Sequence, residues 1–527
     1  MKKRTKKIAA LLATCMLATA LVGCGNANVS TQSGSKEESK TSSVEQESSS
    51  TVVNEEPIVL TVLTRSNVSQ DGPLVYEEAN KYIEEKLGFT VEFVDLGQNE
   101  FAEKSKMMFA TGDYFDVTFT ADSVDFYTNA ANGVYLSLDD LLDEYGKDIL
   151  AAAPDYLFGA ATVNGEIYAV PHLKDMVWPY YFQVKSYYVD KYNLDLNGID
   201  TLEEMEPVLQ IIKDNEPGVV PLLMKSNYNC FVTMDWDIVS GTKVLAWDDN
   251  GKIVNIYEQE EMKDFFALMR SWNEKGFFPQ DVETLTSLGD NTGTGAWATQ
   301  FASYGPMLYS DPKDPNRTTR KTEDGLLNSS GDWPADGSTL SKGILANSGI
   351  MGGAWAISAE SDYPEKAMQF INLIDTDAYL RNLMSYGIEG KHYEKVGENQ
   401  YKFLPEGTTK AADTGYAPYS YMLGSTYNLL VKDSQPADYW KQYEKMNNNA
   451  IPSKGLGFVV NLDDISTEIA AIANAYNEYA PALECGAVAD WEKSLEAFNQ
   501  KLYSVGLQTV IDEVQKQYDA WKVANNK

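Results

Sequence analysis

The chain has 527 residues, with 77 acidic against 43 basic side chains, a formal charge of −34, two histidines and four cysteines. Such an acid excess excludes a nucleic-acid-binding role, because phosphates would be repelled, and excludes direct adhesion to anionic lipid. The cysteines show no CxxC or HxxxH surroundings, which excludes a zinc site of ordinary spacing.

In chain order, Lys2, Lys3, Arg4, Lys6 and Lys7 precede an apolar run from Ile8 to Val22. That is the layout of a secretory signal, too short for a comfortable membrane span. Leu21-Val22-Gly23-Cys24 matches a bacterial lipobox, so residues 1–23 are expected to be removed and Cys24 to carry a diacylglyceryl group with acyl chains such as palmitate. Two chains, at about 0.8 kcal/mol per buried methylene, suffice for stable anchoring. Loss of the leader removes five basic groups and no acid, taking the charge from −34 to about −39. Residues 24–56 are nearly all Ser, Thr, Asn, Gln, Glu and Lys. Having almost nothing apolar to bury, they read as a hydrated tether. The protein is therefore expected on the extracellular face of a bacterial cell membrane.

From residue 57 the chain is long enough for two lobes. "IVLTVLT" (58–64) reads as a strand. "LVYEEANKYIEEKLG" (74–88) reads as a helix with Val75, Ala79 and Ile83 on one face. A strand (89–96), a helix (100–112) and a strand (114–120) follow. This alternation predicts an α/β fold with right-handed crossovers and a parallel sheet, whose ligands sit beyond the carboxyl ends of the strands. Arg65 and Asp122 fall there. The stretch 174–340 is richer in turns, with a strand-like "KIVNIYE" (252–258) and a helix over 261–276. "SGIMGGAWAIS" (348–358) reads as glycine-loosened backbone entering a strand, and 362–374 as a helix with Pro364 in its first turn. Three apolar stripes (Ile465 to Tyr479, Trp491 to Leu502, Leu507 to Trp521) predict three packed C-terminal helices.

No phosphate loop, dinucleotide turn or nucleophile elbow is present. "WDDNGKI" (247–253) lacks the acids of a calcium loop and reads as a hairpin turn. Nothing points to a catalytic set, a metal or a cofactor. Tryptophans do stand out among small or polar neighbours, as in "MVWPYYF" (176–182), "MDWDI" (234–238), "GAWATQ" (295–300), "GDWPADG" (331–337) and "GGAWAIS" (352–358). Flat rings in such settings suit the C–H faces of pyranoses.

"MMFATGDYFDVTF" (107–119) resembles the "GDYPDV" signature of family 1 extracellular solute-binding proteins of ABC importers, the broad group of the maltose-binding protein. "VNGEIYAVPHL" (163–173) resembles that family's crossover between lobes, and "GGAWAISAESDYPEKAMQFINLI" (352–374) its return segment. "NLMSYGIEGKHYEK" (382–395) and the tail from Asp463 resemble a Gram-positive sugar-lipoprotein subgroup.

The resemblance implies a two-lobed, type II periplasmic-binding-protein-like fold with an interlobe ligand cleft, hinge strands and a helical C-terminal tail. One lobe would take 57–172 and 345–390, the other 173–344 and 391–527, with the third crossing just past Glu389. It implies a monomeric binding protein, not an enzyme, that passes a carbohydrate to permease subunits. Cleft candidates are Arg65 and Asp122 from one lobe, with Trp178, Tyr180 and Trp236 from the crossover and the other. Trp355 would come from the return segment, and Trp297, Trp333 and Lys391 complete the set. A charged ligand, a uronate oligomer or peptide paired with Arg65, Lys174 and Lys391, is the alternative, and a surface-anchored glycosidase a further one.

Overall fold

A computed structural model of the protein describes residues 57–196, 199–226, 234–285, 296–303, 326–328, 340–408, 410–435 and 437–525. Cys24, Cys230 and Trp333 lie outside these residues, as does the tether.

Alternating strand and helix build the first sheet as expected. Strand Val59–Arg65 pairs in parallel with Thr90–Leu96 on one side and Val117–Thr120 on the other. Helix Gly72–Leu87 connects the first two and buries Val75, Ala79 and Ile83, the face its spacing predicts. Gly88, with φ at 76°, ends that helix in a left-handed turn that glycine adopts without strain. The return strand Ala354–Ile357 joins this sheet antiparallel, between Val117–Thr120 and Val170–Pro171. Helix Pro364–Thr376 then covers the sheet, burying Ala367, Met368, Phe370, Ile371 and Ile374.

The second sheet holds Tyr180–Lys185, Val220–Leu223, Trp297–Ser303 and Leu326–Asn328. Its core takes helices Leu202–Asn215 and Glu260–Glu274 and the three C-terminal helices, Ser466–Glu484, Trp491–Ser504 and Leu507–Ala524. A capping box at Thr201 and Glu204 starts the first of these. The loop at 248–252 is the hairpin its composition predicts. Asp248 accepts bonds from the Asn250 and Lys252 amides at 2.8 Å, so its carboxylate closes the turn. Pro57–Lys527 holds together as one unit, within which the two sheets carry separate cores.

Three stretches of chain run between the cores. The first, 172–180, leaves the edge strand Val170–Pro171 and enters Tyr180–Lys185. The second, 340–352, returns to Ala354–Ile357. The third corrects an expectation, for it lies at about 447–458 rather than just past Glu389. Tyr416, Met422 and Leu423 are buried in the first core, and Val431, Tyr439, Tyr443, Met446 and Ala450 pack with Phe126, Tyr135 and Ala354. Only from Phe458 onward does the chain bury its apolar groups in the second core.

Side-chain amides and carboxylates bind these stretches together. Asn447, itself buried, donates to the Lys174 carbonyl at 2.6 Å and accepts from the Met176 amide at 3.0 Å. Asn347 donates to the Phe458 carbonyl and accepts from the Gly457 amide. Backbone also meets backbone closely. A Cβ at Gly349 would stand 2.0 Å from the Met176 carbonyl oxygen, a distance no side chain survives. The glycines of "SGIMGG" thus let the second stretch lie against the first.

Candidate functional site

On the first-lobe side, the strand ends carry the charged groups. Arg65 closes its strand, donates from Nε to the Gln98 carbonyl at 3.3 Å and sets its guanidinium 5.7 Å from the Phe119 ring centroid. Asp122 opens a short turn, Asp122–Val124, with its amide on the Met351 carbonyl at 2.8 Å. The residue is exposed, yet surrounding protein desolvates its carboxyl and raises its pKa.

The first crossing stretch adds the aromatic element. His172 is fully buried, tilted between Phe119 and Trp355, and its Nδ1 lies 3.1 Å from the Tyr421 carbonyl. Burial pulls the imidazole down to about 3, against the pull of that carbonyl, so it is neutral with the proton on Nδ1. Trp178 is 45% exposed, and its indole N–H donates to Asp175 Oδ2 at 3.1 Å. Tyr421 is 38% exposed, with Tyr419 beside it at 6.1 Å between rings. Burial raises the Tyr421 hydroxyl, Arg65 opposes that rise and Asp175 adds to it, so all three groups share one neighbourhood. Trp178, bonded to Asp175, and Tyr421, held by its carbonyl against His172, are thus exposed rings at the root of the crossing, with Arg65 and Asp175 near enough to act on the Tyr421 hydroxyl.

The second-lobe side is reached through the hinge stretches. The Tyr180 amide donates to Ser341 Oγ at 2.9 Å. Asp235 accepts from the Lys342 and Gly343 amides at 2.9 and 3.0 Å. It does so with φ at 53°, a left-handed conformation that Asp tolerates better than most residues. Trp236, next in chain, is half-buried against the second core.

Three candidates fall elsewhere. Trp355 is 0% exposed, because its strand lies inside the first sheet and both of its faces are covered. Trp297 is buried with Leu223 under the Lys185 ammonium at 4.0 Å. It also stands at the wrong end of its strand: Ser303 pairs with Tyr180 at the hinge end, while Trp297 begins the strand six residues away. Lys391 is committed to Asp71 at 2.7 Å, whose carboxyl it holds below the usual range. Cys485 is a free buried thiol, pushed up to about 11 by burial.

Sequence reading missed Tyr419, Tyr421 and Asp175. The stretch "GYAPYSYMLGSTY" (415–427) sets tyrosines among Gly, Pro and Ser, the same signal that singled out the tryptophans. It docks along the loop after the first strand, with Asn67 donating to the Ala417 carbonyl and the Ala417 amide to Ser69 Oγ.

A separate groove of about 790 Å³ is lined by Tyr257, Trp491, Leu495 and Tyr503 among others. Its polar groups serve the fold: Tyr503 donates to Glu258 and Asn499 to the Tyr257 carbonyl. Among the described residues no three His, Cys, Asp or Glu side chains converge as metal ligands, and no helix is long and apolar enough to cross a membrane.

Comparison with known proteins accounts for this arrangement. A profile for bacterial extracellular solute-binding proteins matches residues 78–387, and one for a domain of unknown function matches 454–523, the C-terminal helices. A carbohydrate ABC transporter substrate-binding protein of Streptococcus pneumoniae is 30% identical over 451 residues, 84% of this chain and 86% of that protein. The N-glycan transport solute binding protein NgtS of the same species superposes with a TM-score of 0.73 at 27% identity, over 90% of this chain and 100% of that one. Its complexes with Man1GlcNAc and Man5GlcNAc give 0.60 and 0.57 at the same identity. A two-lobed α/β frame, joined by three crossing stretches and matched over most of its length, belongs to the bacterial extracellular solute-binding protein family.

Proposed function

We propose that this protein captures an oligosaccharide outside the cell, between its two lobes, and hands it unchanged to an ABC permease. The observation that carries the reading is that Trp178 and Tyr421 stand exposed at the root of the first crossing, the indole bonded to Asp175 and the Tyr421 hydroxyl in the field of Arg65 and Asp175. Aromatic faces take the C–H surfaces of sugar rings, while carboxylate and guanidinium take hydroxyls. Micromolar affinity needs only about −8 kcal/mol, which a few stacked rings and hydrogen bonds supply. The 30% identical relative is named for carbohydrate transport, and the NgtS complexes hold mannose- and N-acetylglucosamine-containing glycans. Neutral glycans of that kind are the first ligands to test.

The comparison also supports a hinge. The fall from 0.73 to 0.60 and 0.57 at equal identity and nearly equal coverage is what lobes closed by different amounts would give. Contacts made to both lobes at once would favour the closed arrangement and so link binding to closure. A charged ligand would have to rely chiefly on Arg65, since Lys391 is paired with Asp71 and Lys174 with Asp175.

Isothermal titration with Man1GlcNAc, Man5GlcNAc, fructooligosaccharides and uronate oligomers tests the reading. Saturable binding of a neutral glycan, recovered intact, is expected. Absence of binding across the panel, or release of hydrolysis products, overturns it. The same reading has the mature chain begin at a diacylated Cys24 and act as a monomer at the outer membrane surface. A Cys24→Ala chain should then appear in the medium, and the wild-type N-terminal peptide should carry the mass of its acyl groups.

A further inference from the structure

Lys174 is a lysine in a place that suits an apolar residue. It is 3% exposed, and its stem passes the second stretch so closely that a Cβ at Gly352 would lie 3.0 Å from Nζ. Its ammonium donates to the Asp175 carbonyl at 2.8 Å and lies 3.6 Å from Asp175 Oδ1. Desolvation is the larger effect on it and lowers its pKa, with Asp175 opposing. A buried ammonium costs several kcal/mol unless well paired, and apolar replacements of such groups are often neutral or stabilising. Stability therefore does not explain the residue.

The neighbours do. Asp175 Oδ2 accepts the Trp178 indole N–H, and Lys174 Nζ stands 5.6 Å from the indole centroid. The ammonium thus meets the tryptophan twice, through the carboxylate that anchors the indole edge and through the ring itself. An exposed tryptophan otherwise samples several rotamers, and immobilising such a side chain on binding costs about 0.5–1.5 kcal/mol. The Lys174 carbonyl is in turn held by Asn447, so the whole assembly is tied to the third crossing stretch.

We propose that Lys174 is a positioning residue: through Asp175 it pre-sets the Trp178 indole in the orientation that receives a sugar ring. The proposal rests on the saccharide reading above, and it is separable from it because Trp178 can be observed without sugar. The full-length mature chain, labelled with 5-fluorotryptophan, gives a ¹⁹F resonance for Trp178 that Trp178→Phe assigns. In Lys174→Met that resonance should shift or broaden while the melting temperature holds or rises. Man5GlcNAc should bind the variant roughly 3- to 10-fold more weakly, the loss expected when one side chain must be ordered on binding. In a Trp178→Ala background the same substitution should change affinity no further, because its effect passes through the ring. Asp175→Asn should reproduce the resonance change and be non-additive with Lys174→Met.

An unmoved Trp178 resonance overturns the proposal, whatever the sugar result. So does an equal loss of affinity with and without Trp178. Should the wild type bind no Man5GlcNAc, the ¹⁹F comparison alone decides, and the saccharide reading is judged by the wider panel.

Discussion

Two neighbouring stretches, the return strand Ala354–Ile357 and the first crossing 172–180, each present a tryptophan flanked by small or polar residues. They use it in opposite ways. Trp355 is fully buried, since its strand is hydrogen-bonded on both edges and covered on both faces. Trp178 is nearly half exposed, since the chain has left the sheet at Pro171 and runs on toward the second lobe. Composition around a ring is therefore a poor guide to its role. What decides is whether the backbone beneath it is interior to a sheet or leaving one.

Substitution sharpens this contrast. Trp355→Ala should cost about 3–5 kcal/mol of stability by cavity formation, read as a fall in the denaturant midpoint. The surviving folded fraction should bind glycan with near-native affinity, and a selective loss of affinity would mean that the buried ring has a direct part in binding.

The root of the crossing can be probed through pH. His172 sits near 3 when folded and near 6.5 when unfolded, so the unfolded chain takes up its proton first as pH falls. Its contribution is fully present above about pH 6.5 and is lost progressively toward pH 3, on the order of 3 kcal/mol between pH 6.5 and 4. Urea titrations across that window should show the loss, and His172→Phe should flatten it. An unchanged slope in the variant would assign the acid limb to other groups.

Trp178→Ala should do the reverse of Trp355→Ala. Stability should move by less than about 0.5 kcal/mol, as for exposed positions generally. Affinity should fall about 10-fold, equivalent to about 1.4 kcal/mol of lost stacking, measured by calorimetry. Equal binding by variant and wild type would remove this ring from the site. Lys391→Ala marks the small end of the scale. Freed of its exposed partner, Asp71 still caps the His392 ring at 3.1 Å, so neither melting temperature nor glycan affinity should change measurably. A clear loss of affinity would return Lys391 to the cleft.

Much of the fold can be read from local pattern. The Val75–Ala79–Ile83 face, the hairpin at 248–252, the helix from Pro364 and the three C-terminal stripes all follow from spacing and turn chemistry, which act within a few residues. Even there the last stripe is offset. Val510 rather than Ile511 is fully buried, since the docking of Leu507–Ala524 against the second core sets the final rotation.

Other features depend on which distant segments meet. The third crossing at 447–458 could not be placed from periodicity, because residues 391–450 scatter their apolar groups among polar ones with no sustained stripe. Packing of Tyr416 and Met422 in the first core, and of Tyr439 and Tyr443 against Phe126, Tyr135 and Ala354, places them with the first sheet. The same holds for the site. Arg65 and Asp122 are legible as strand ends in a parallel sheet, a rule of topology that local order suffices to invoke. Tyr421 comes to Arg65 across more than 350 residues of chain, and Lys391 is tied to Asp71, far earlier in sequence. Periodicity encodes which face of an element is apolar, and that is a local property of the chain. Which polar groups then share a cleft depends on long-range contacts that no local pattern carries.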